Sequence, residues 1–249
     1  MNLTDKNLRE KNFHNKLQSK KKGRFENIFY KAIHNSLDDF FNFIKSNSTD
    51  LHILDYGCGN GNSLKKVVEY YPKKISGIDI SEVSIQKAKD FFQNKNLNLD
   101  LDLFVDNCEQ TKFKENTFDL VYGTGILHHL DMSLCLREIN RILKPNGKLL
   151  FIEPIGTNPF INFYRKLTPK SRSDDEHPLL KHDFDLIRSE FKNVKIKYYG
   201  FLTLVFFPLY SNPQDSMIFK FLKKIDQHLF KVNFFKNLAW SVMITAEKN

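Results

Sequence analysis

Between residues 51 and 153 short apolar runs alternate with amphipathic stretches, the pattern of βα units around a parallel sheet. HILDY (52–56), KISGIDI (74–80), LDLFVD (101–106), FDLVYGTG (118–125) and KLLFIE (148–153) read as five strands. Between them the spacing predicts a helix from Asn62 to Tyr71, closed by Pro72, and another from an N-capping Ser81 to about Asn94. A third helix carries Cys135, Ile139 and Ile142 on one face, and Lys144-Pro145-Asn146-Gly147 is a turn sequence leading into the fifth strand. VKIKYY (194–199) and WSVMITAE (240–247) complete an expected sheet of about seven strands. The fold class is α/β, mostly parallel, with helices on both faces.

Three segments lie outside this core. Residues 25–45 place Ile33, Leu37, Phe40, Phe41 and Ile44 at helical spacing, so an N-terminal helix is expected to pack on the sheet. Residues 154–183 are rich in proline, asparagine and charge, and residues 201–239 carry the helical stripe Ile218, Phe221, Ile225, Leu229 and Val232. Connections this long inside one domain are usually functional, and these two read as a cap. The division expected is 1–48 as an N-terminal helical segment and 49–249 as the main domain, with insertions at about 154–183 and 201–239.

Composition narrows the class. A chain of 249 residues with 41% hydrophobic content is large enough to bury a substantial core. No apolar run reaches the roughly 18–20 residues that span a bilayer, and the first residues lack the apolar segment of a secretory signal. The cysteines Cys58, Cys108 and Cys135 are odd in number and far apart, which favours free thiols and a cytoplasmic setting. The net charge is +9, yet the lysines are spread along the chain, with one dense run at Ser19–Arg24. That distribution does not make nucleic acid the expected partner; attraction to an anionic surface stays open.

The chemistry begins at LDYGCGNG (54–61), where glycines occupy every second position after a strand that ends in an acid. Such a bend lets backbone approach a nucleotide ligand beyond the C-terminal strand ends. The dinucleotide fingerprint G-x-G-x-x-G fails here, because Asn62 and Leu64 stand where its third glycine belongs. Asp55-x-Gly57-x-Gly59-x-Gly61 instead resembles the first motif of class I S-adenosyl-L-methionine-dependent methyltransferases, a Rossmann-like family. Asp79 at the end of the second strand and Asp106 at the end of the third are similar to that family's acids. The stretch GTGILHHLDMSLCLREINRILKPNGKLLFIEP (123–154) resembles its fourth and fifth strands, closest to the ubiquinone- and menaquinone-type branch. The resemblance covers about 51–153.

It implies a set of roles. Asp55, Gly57, Cys58 and Gly59 would surround the amino-acid end and sulfonium. Asp79 and Ile80 would meet the ribose, Asp106 and Asn107 the adenine, and Gly123 and Thr124 the methionine portion. The N-terminal helical segment would be a lid, bringing His14 to the cofactor or substrate. Methyl transfer from a sulfonium is an in-line displacement, and a base is needed only when the acceptor starts protonated. Candidate catalytic groups are His128, Glu153 and His177, with His128 favoured over its neighbour His129 for the pocket. No metal is expected, because adjacent imidazoles rarely converge on one ion and Asp174-Asp175-Glu176-His177 reads as an acidic loop. The aromatic residues of 201–235, with lysines interleaved, suit a small or lipid-like acceptor, methylated on a hydroxyl oxygen, and a peripheral membrane contact. An RNA or protein methyltransferase, a non-catalytic cofactor-binding partner and a nicotinamide dehydrogenase are the alternatives.

Overall fold

The computed structural model describes residues 3–18, 28–93, 95, 99–169, 172–210 and 212–249. The basic run 19–24 and the start of the 25–45 apolar stretch lie outside these residues. Helix α1 (Asp5–Gln18) is followed by a 3-10 segment (Ile28–Ile33) and helix α2 (His34–Ser46). The βα alternation then runs β1 (His52–Tyr56), α3 (Leu64–Val67), β2 (Lys74–Asp79), α4 (Glu82–Gln93), β3 (Asp100–Val105), β4 (Phe118–Thr124), α5 (Met132–Ile142) and β5 (Leu143–Pro154). Helices α6 (Pro159–Leu167) and α7 (Lys181–Glu190) precede β6 (Lys192–Tyr199). Helices α8 (Leu202–Val205), α9 (Met217–Leu229) and α10 (Asn233–Lys236) lead to β7 (Ser241–Glu247).

The described residues form a seven-stranded sheet in the order β3-β2-β1-β4-β5-β7-β6, with β7 antiparallel to both neighbours. This is the Rossmann-like α/β fold the sequence predicts. Successive residues of the central strands supply opposite cores, as a pleat requires. Leu54, Val121, Leu149 and Phe151 join α5 and α7 in one cluster. Ile53, Leu120, Tyr122, Leu150 and Ile152 join α2, α3 and α4 in the other.

Two local readings change. The predicted helix 62–71 shrinks to the four residues of α3 and a 3-10 turn (Val68–Tyr70), ending at Tyr71 in the left-handed region (φ 55°). The apolar N-terminal stretch is core, since Phe40 and Ile44 of α2 are fully buried. The helix that lies over the strand ends is α1, which the apolar pattern did not mark. Its buried positions are polar, Asn7 and Glu10, and a reciprocal Thr4–Asn7 cap starts it.

Strand order reverses between β1 and β4, the place where open α/β sheets bind ligands beyond their C-terminal strand ends. A cavity of about 990 Å³ opens there. Its floor is the glycine bend after β1, and its walls are the segments after β2, β3 and β4. Helices α1, α6 and α8 form its upper rim.

Candidate active site

The glycine bend is shaped by three left-handed residues, Gly57 (φ 76°), Gly59 (φ 53°) and Gly61 (φ 77°). Their reasons differ. A β-carbon on Gly57 would stand 2.6 Å from the Ile126 side chain, so that glycine admits the loop after β4. At Gly59 nothing lies within 4 Å of the same position, leaving bare backbone open to the cavity. Asp79 braces this bend: its Oδ2 accepts from the Gly59 amide at 2.9 Å and its Oδ1 from the Ser81 amide at 2.8 Å. Burial pushes the Asp79 carboxyl up, while the two amide donors and His14 pull it down.

Gly57, Cys58, Gly59, Asp79, Ile80, Asn107 and Thr124 all line the cavity, as the resemblance implies. Three expected cofactor contacts lie behind the wall instead. Asp55 is 2% exposed beneath the bend, beside Tyr122, and burial followed by the nearby Asp79 charge raises its carboxyl well above the usual range. Asp106 spends both oxygens on its own turn, accepting from Asn107 N at 3.0 Å and Lys112 N at 2.9 Å. The cavity position after β3 therefore belongs to Asn107. Gly123 is a packing glycine, where a β-carbon would meet the Tyr56 carbonyl at 2.6 Å.

Glu153 and His128 meet at the end of β5. Glu153 is fully buried; its Oε1 accepts from the amides of Ile126 and Leu127, each at 2.9 Å, and its Oε2 lies 2.6 Å from His128 Nδ1. The other imidazole nitrogen faces Glu176 Oε1 at 3.2 Å. Burial alone would push the His128 imidazole down, but the two carboxylates outweigh it and raise it to about 9. His128 is therefore an imidazolium at neutral pH, unable to accept a proton, and Glu153 is occupied in holding it and the loop. Both residues line the cavity, and the pair holds the β4 loop and ties Glu176 of the insertion to the sheet.

His177 is placed differently. Its side chain is 38% exposed, points to Asp183 at 3.4 Å and does not line the cavity. Only its amide serves the site, donating to the His128 carbonyl at 2.7 Å. The neighbouring Glu176 and Arg172 reach the cavity instead.

Helix α1 closes the mouth through polar contacts on both sides. Asn7 donates to Glu109 at 2.9 Å, Asn15 accepts from Ser81 Oγ at 2.6 Å, and Arg9 makes a two-bond pair with Asp175. Glu10 accepts from Ser173 Oγ and lies 3.1 Å from His129 Nδ1. Sequence reasoning missed Glu10, although its position four residues before His14 places both on one helix face. His129 is buried and held neutral: burial, then the charged His128, lower it to about 4.

The sequence profile of a family described as "Methyltransferase domain" matches residues 54–151, which run from the end of β1 to β5. Residues 54–151 therefore match a methyltransferase domain, set on the Rossmann-like sheet described above. Over 114 residues the chain is 27% identical to the sterol 4-C-methyltransferase strm-1 of Caenorhabditis elegans, covering 45% of this chain and 34% of that protein. It is 28% identical over 167 residues to the sterol 24-C-methyltransferase ERG6 of Saccharomyces cerevisiae, 66% of this chain and 42% of that one. The chain thus spans less than half the length of these curated relatives. In fold it is similar to a geranyl diphosphate C-methyltransferase from Streptomyces coelicolor, solved with Mg2+, geranyl diphosphate and S-adenosylhomocysteine. That likeness has a TM-score of 0.67 at 11% identity and covers 100% of each chain. A phosphoethanolamine N-methyltransferase 2 from Haemonchus contortus gives 0.63 at 18%, over 86% of this chain and 52% of the other.

Proposed function

We propose that the methyltransferase domain binds S-adenosylmethionine on the Gly57–Gly61 bend and transfers its methyl group to a small or lipid-like acceptor. The observation that carries this is the bare backbone at Gly59 with the Asp79 carboxylate bonded to it at one edge of the cavity. The bend accepts a ligand in van der Waals contact, and Asp79 keeps lone pairs for ribose hydroxyls. Asn107 and Thr124 line the same cavity, which supports their reading as contacts for the adenine and the methionine chain. Bound there, S-adenosylmethionine supplies an electrophilic methyl on a good leaving group. The protein's part is to align the acceptor and keep water out.

The acceptor half of the cavity joins apolar and acidic groups. Phe160, Ile161, Phe201 and Val205 line it beside Glu10 and Glu176. Phe160 is 72% exposed and Val205 56%, so the rim itself is greasy. This supports a prenyl- or sterol-like acceptor that enters from an apolar phase. The first reading is a hydroxyl oxygen acceptor, for which His128, raised by its two carboxylates, is not the group that takes the proton. A carbon acceptor is the second reading, favoured by relatives named as sterol C-methyltransferases.

The test is to incubate the protein with methyl-labelled S-adenosylmethionine and, separately, prenyl alcohols, sterols, total RNA and protein extract. Label in the lipid fraction is expected, and NMR of the product identifies oxygen or carbon as the methylated atom. Label confined to RNA or protein would overturn the acceptor class.

A further inference from the structure

Under the lid helix, three metal-ligating groups from two separate elements converge. Glu10 and His14 lie one helical turn apart on α1, and His129 closes the 3-10 turn after β4 (Leu127–His129). Glu10 Oε2 is 3.1 Å from His129 Nδ1 and 3.5 Å from His14 Nε2, and all three atoms lie within 4.8 Å of one another. Donors at ~2.0–2.1 Å from a tetrahedral ion are separated by about 3.3 Å, so both distances to Glu10 match an edge of that tetrahedron.

A second observation sets this cluster apart from an ordinary ion pair. His129 and Glu10 are 3% and 4% exposed, yet Glu10 Oε2 and both ring nitrogens of His129 lack an aligned hydrogen bond. The nitrogen and the carboxylate face each other at short range without the direction a hydrogen bond requires. Buried polar atoms are ordinarily satisfied, and two such orphans facing each other, Glu10 Oε2 and His129 Nδ1, call for a further partner. All three residues line the cavity. Glu10's other oxygen is fixed by Ser173 Oγ at 2.5 Å, the kind of outer contact that orients a ligating carboxylate.

We propose that Glu10, His14 and His129 bind one divalent transition-metal ion of the zinc class. Two imidazoles and a carboxylate suit Zn2+ or Co2+ better than Mg2+, which favours an all-oxygen shell. Three protein donors would leave one position open, and because all three residues line the cavity an oxygen of the acceptor could fill it. The ion would also pin α1 to the β4 loop. Two other His-acid groups are less suited. Both ring nitrogens of His128 are engaged by carboxylates, and His177-His182-Asp183 lies outside the cavity with His182 mostly exposed. One imidazolium, His128, stands near the site, but Glu153 and Glu176 flank it, so it does not leave the cluster facing a bare positive charge.

The consequence for an acceptor rests on the methyl-transfer reading; the metal site does not, and its test needs no S-adenosylmethionine. The full chain is stripped with a chelator and titrated with Co2+, following the visible ligand-field bands. Saturable bands at one Co2+ per chain, displaced by Zn2+, are expected. His14→Ala and Glu10→Gln should each weaken binding at least tenfold, and His177→Ala should bind like the parent. His14 is partly exposed, so its variant decides the matter if Glu10→Gln proves unfolded by circular dichroism. No saturable bands, bands indifferent to His14→Ala, or bands abolished by His177→Ala would each overturn the site.

Discussion

At the scale of single residues, the acids of the site divide by what their oxygens already hold. Asp79 keeps an edge toward the cavity while bracing Gly59, whereas Asp106 spends both oxygens on its own turn and Asp55 is buried beneath the bend. Asp79→Ala should therefore weaken S-adenosylhomocysteine binding by about 1–3 kcal/mol in calorimetry, the worth of hydrogen bonds to a charged acceptor. Unchanged affinity would remove its ribose role. Glu138 shows a stabilising carboxylate: it accepts from Thr111 N at 2.8 Å and from Arg141 at 2.6 Å, tying the segment after β3 to α5. Burial opposes its charge, but Arg141 and Thr111 prevail and lower its pKa below 4.5. A lowered folded value means stability present above 4.5 and lost as pH falls. Glu138→Gln should cost about 1 kcal/mol at neutral pH. In urea titrations its deficit should shrink below the ordinary carboxylate range; a deficit that stays constant into acid would contradict this. The glycines and Asp79 were legible in the sequence because spacing from strand ends locates them. Asp106 misled because an acid that caps its own turn and one that faces a ligand look alike in sequence. The charge on His128 was not legible because its partners, Glu153 and Glu176, are 25 and 48 positions away, and only the fold brings them together.

At the scale of elements, strands and sheet faces follow from alternation, and six of the seven strands lie within a residue or two of their predicted limits. The exception is β5, which takes in the predicted turn at 144–147 and starts at Leu143. Helix α1 was legible only through the family resemblance, which brought His14 toward the site, and not through apolar periodicity. Helix α1 buries Asn7 and Glu10 and shows no apolar stripe, so periodicity reads α2 as the helix of interest. Elements held by polar contacts and few apolar ones open locally at low cost. Amide exchange in α1 should accordingly be much faster than in α2, and should slow when S-adenosylhomocysteine is added. Equal protection of the two helices without ligand would show that α1 is fixed core.

At the scale of the whole molecule, the sheet gathers a cofactor floor at one place and the insertions build a greasy roof above it. Phe160, Phe163, Leu209, Met217, Phe221 and Phe234 are each at least 60% exposed, more apolar surface than isolated side chains explain. Lysines 220, 223, 224 and 231 lie among them, a pairing suited to an anionic bilayer surface. Among the described residues no helix is long and apolar enough to cross a membrane. Co-sedimentation with phosphatidylserine-containing vesicles, weakened by salt and by Phe221→Ser, is the expected outcome; absence of binding at low salt would confine the roof to ligand contact. Everything functional, however, depends on the floor. Calorimetry with S-adenosylhomocysteine tests it most directly: saturable heat at one equivalent, with none from NAD, is predicted, and a flat titration with S-adenosylhomocysteine would contradict the account.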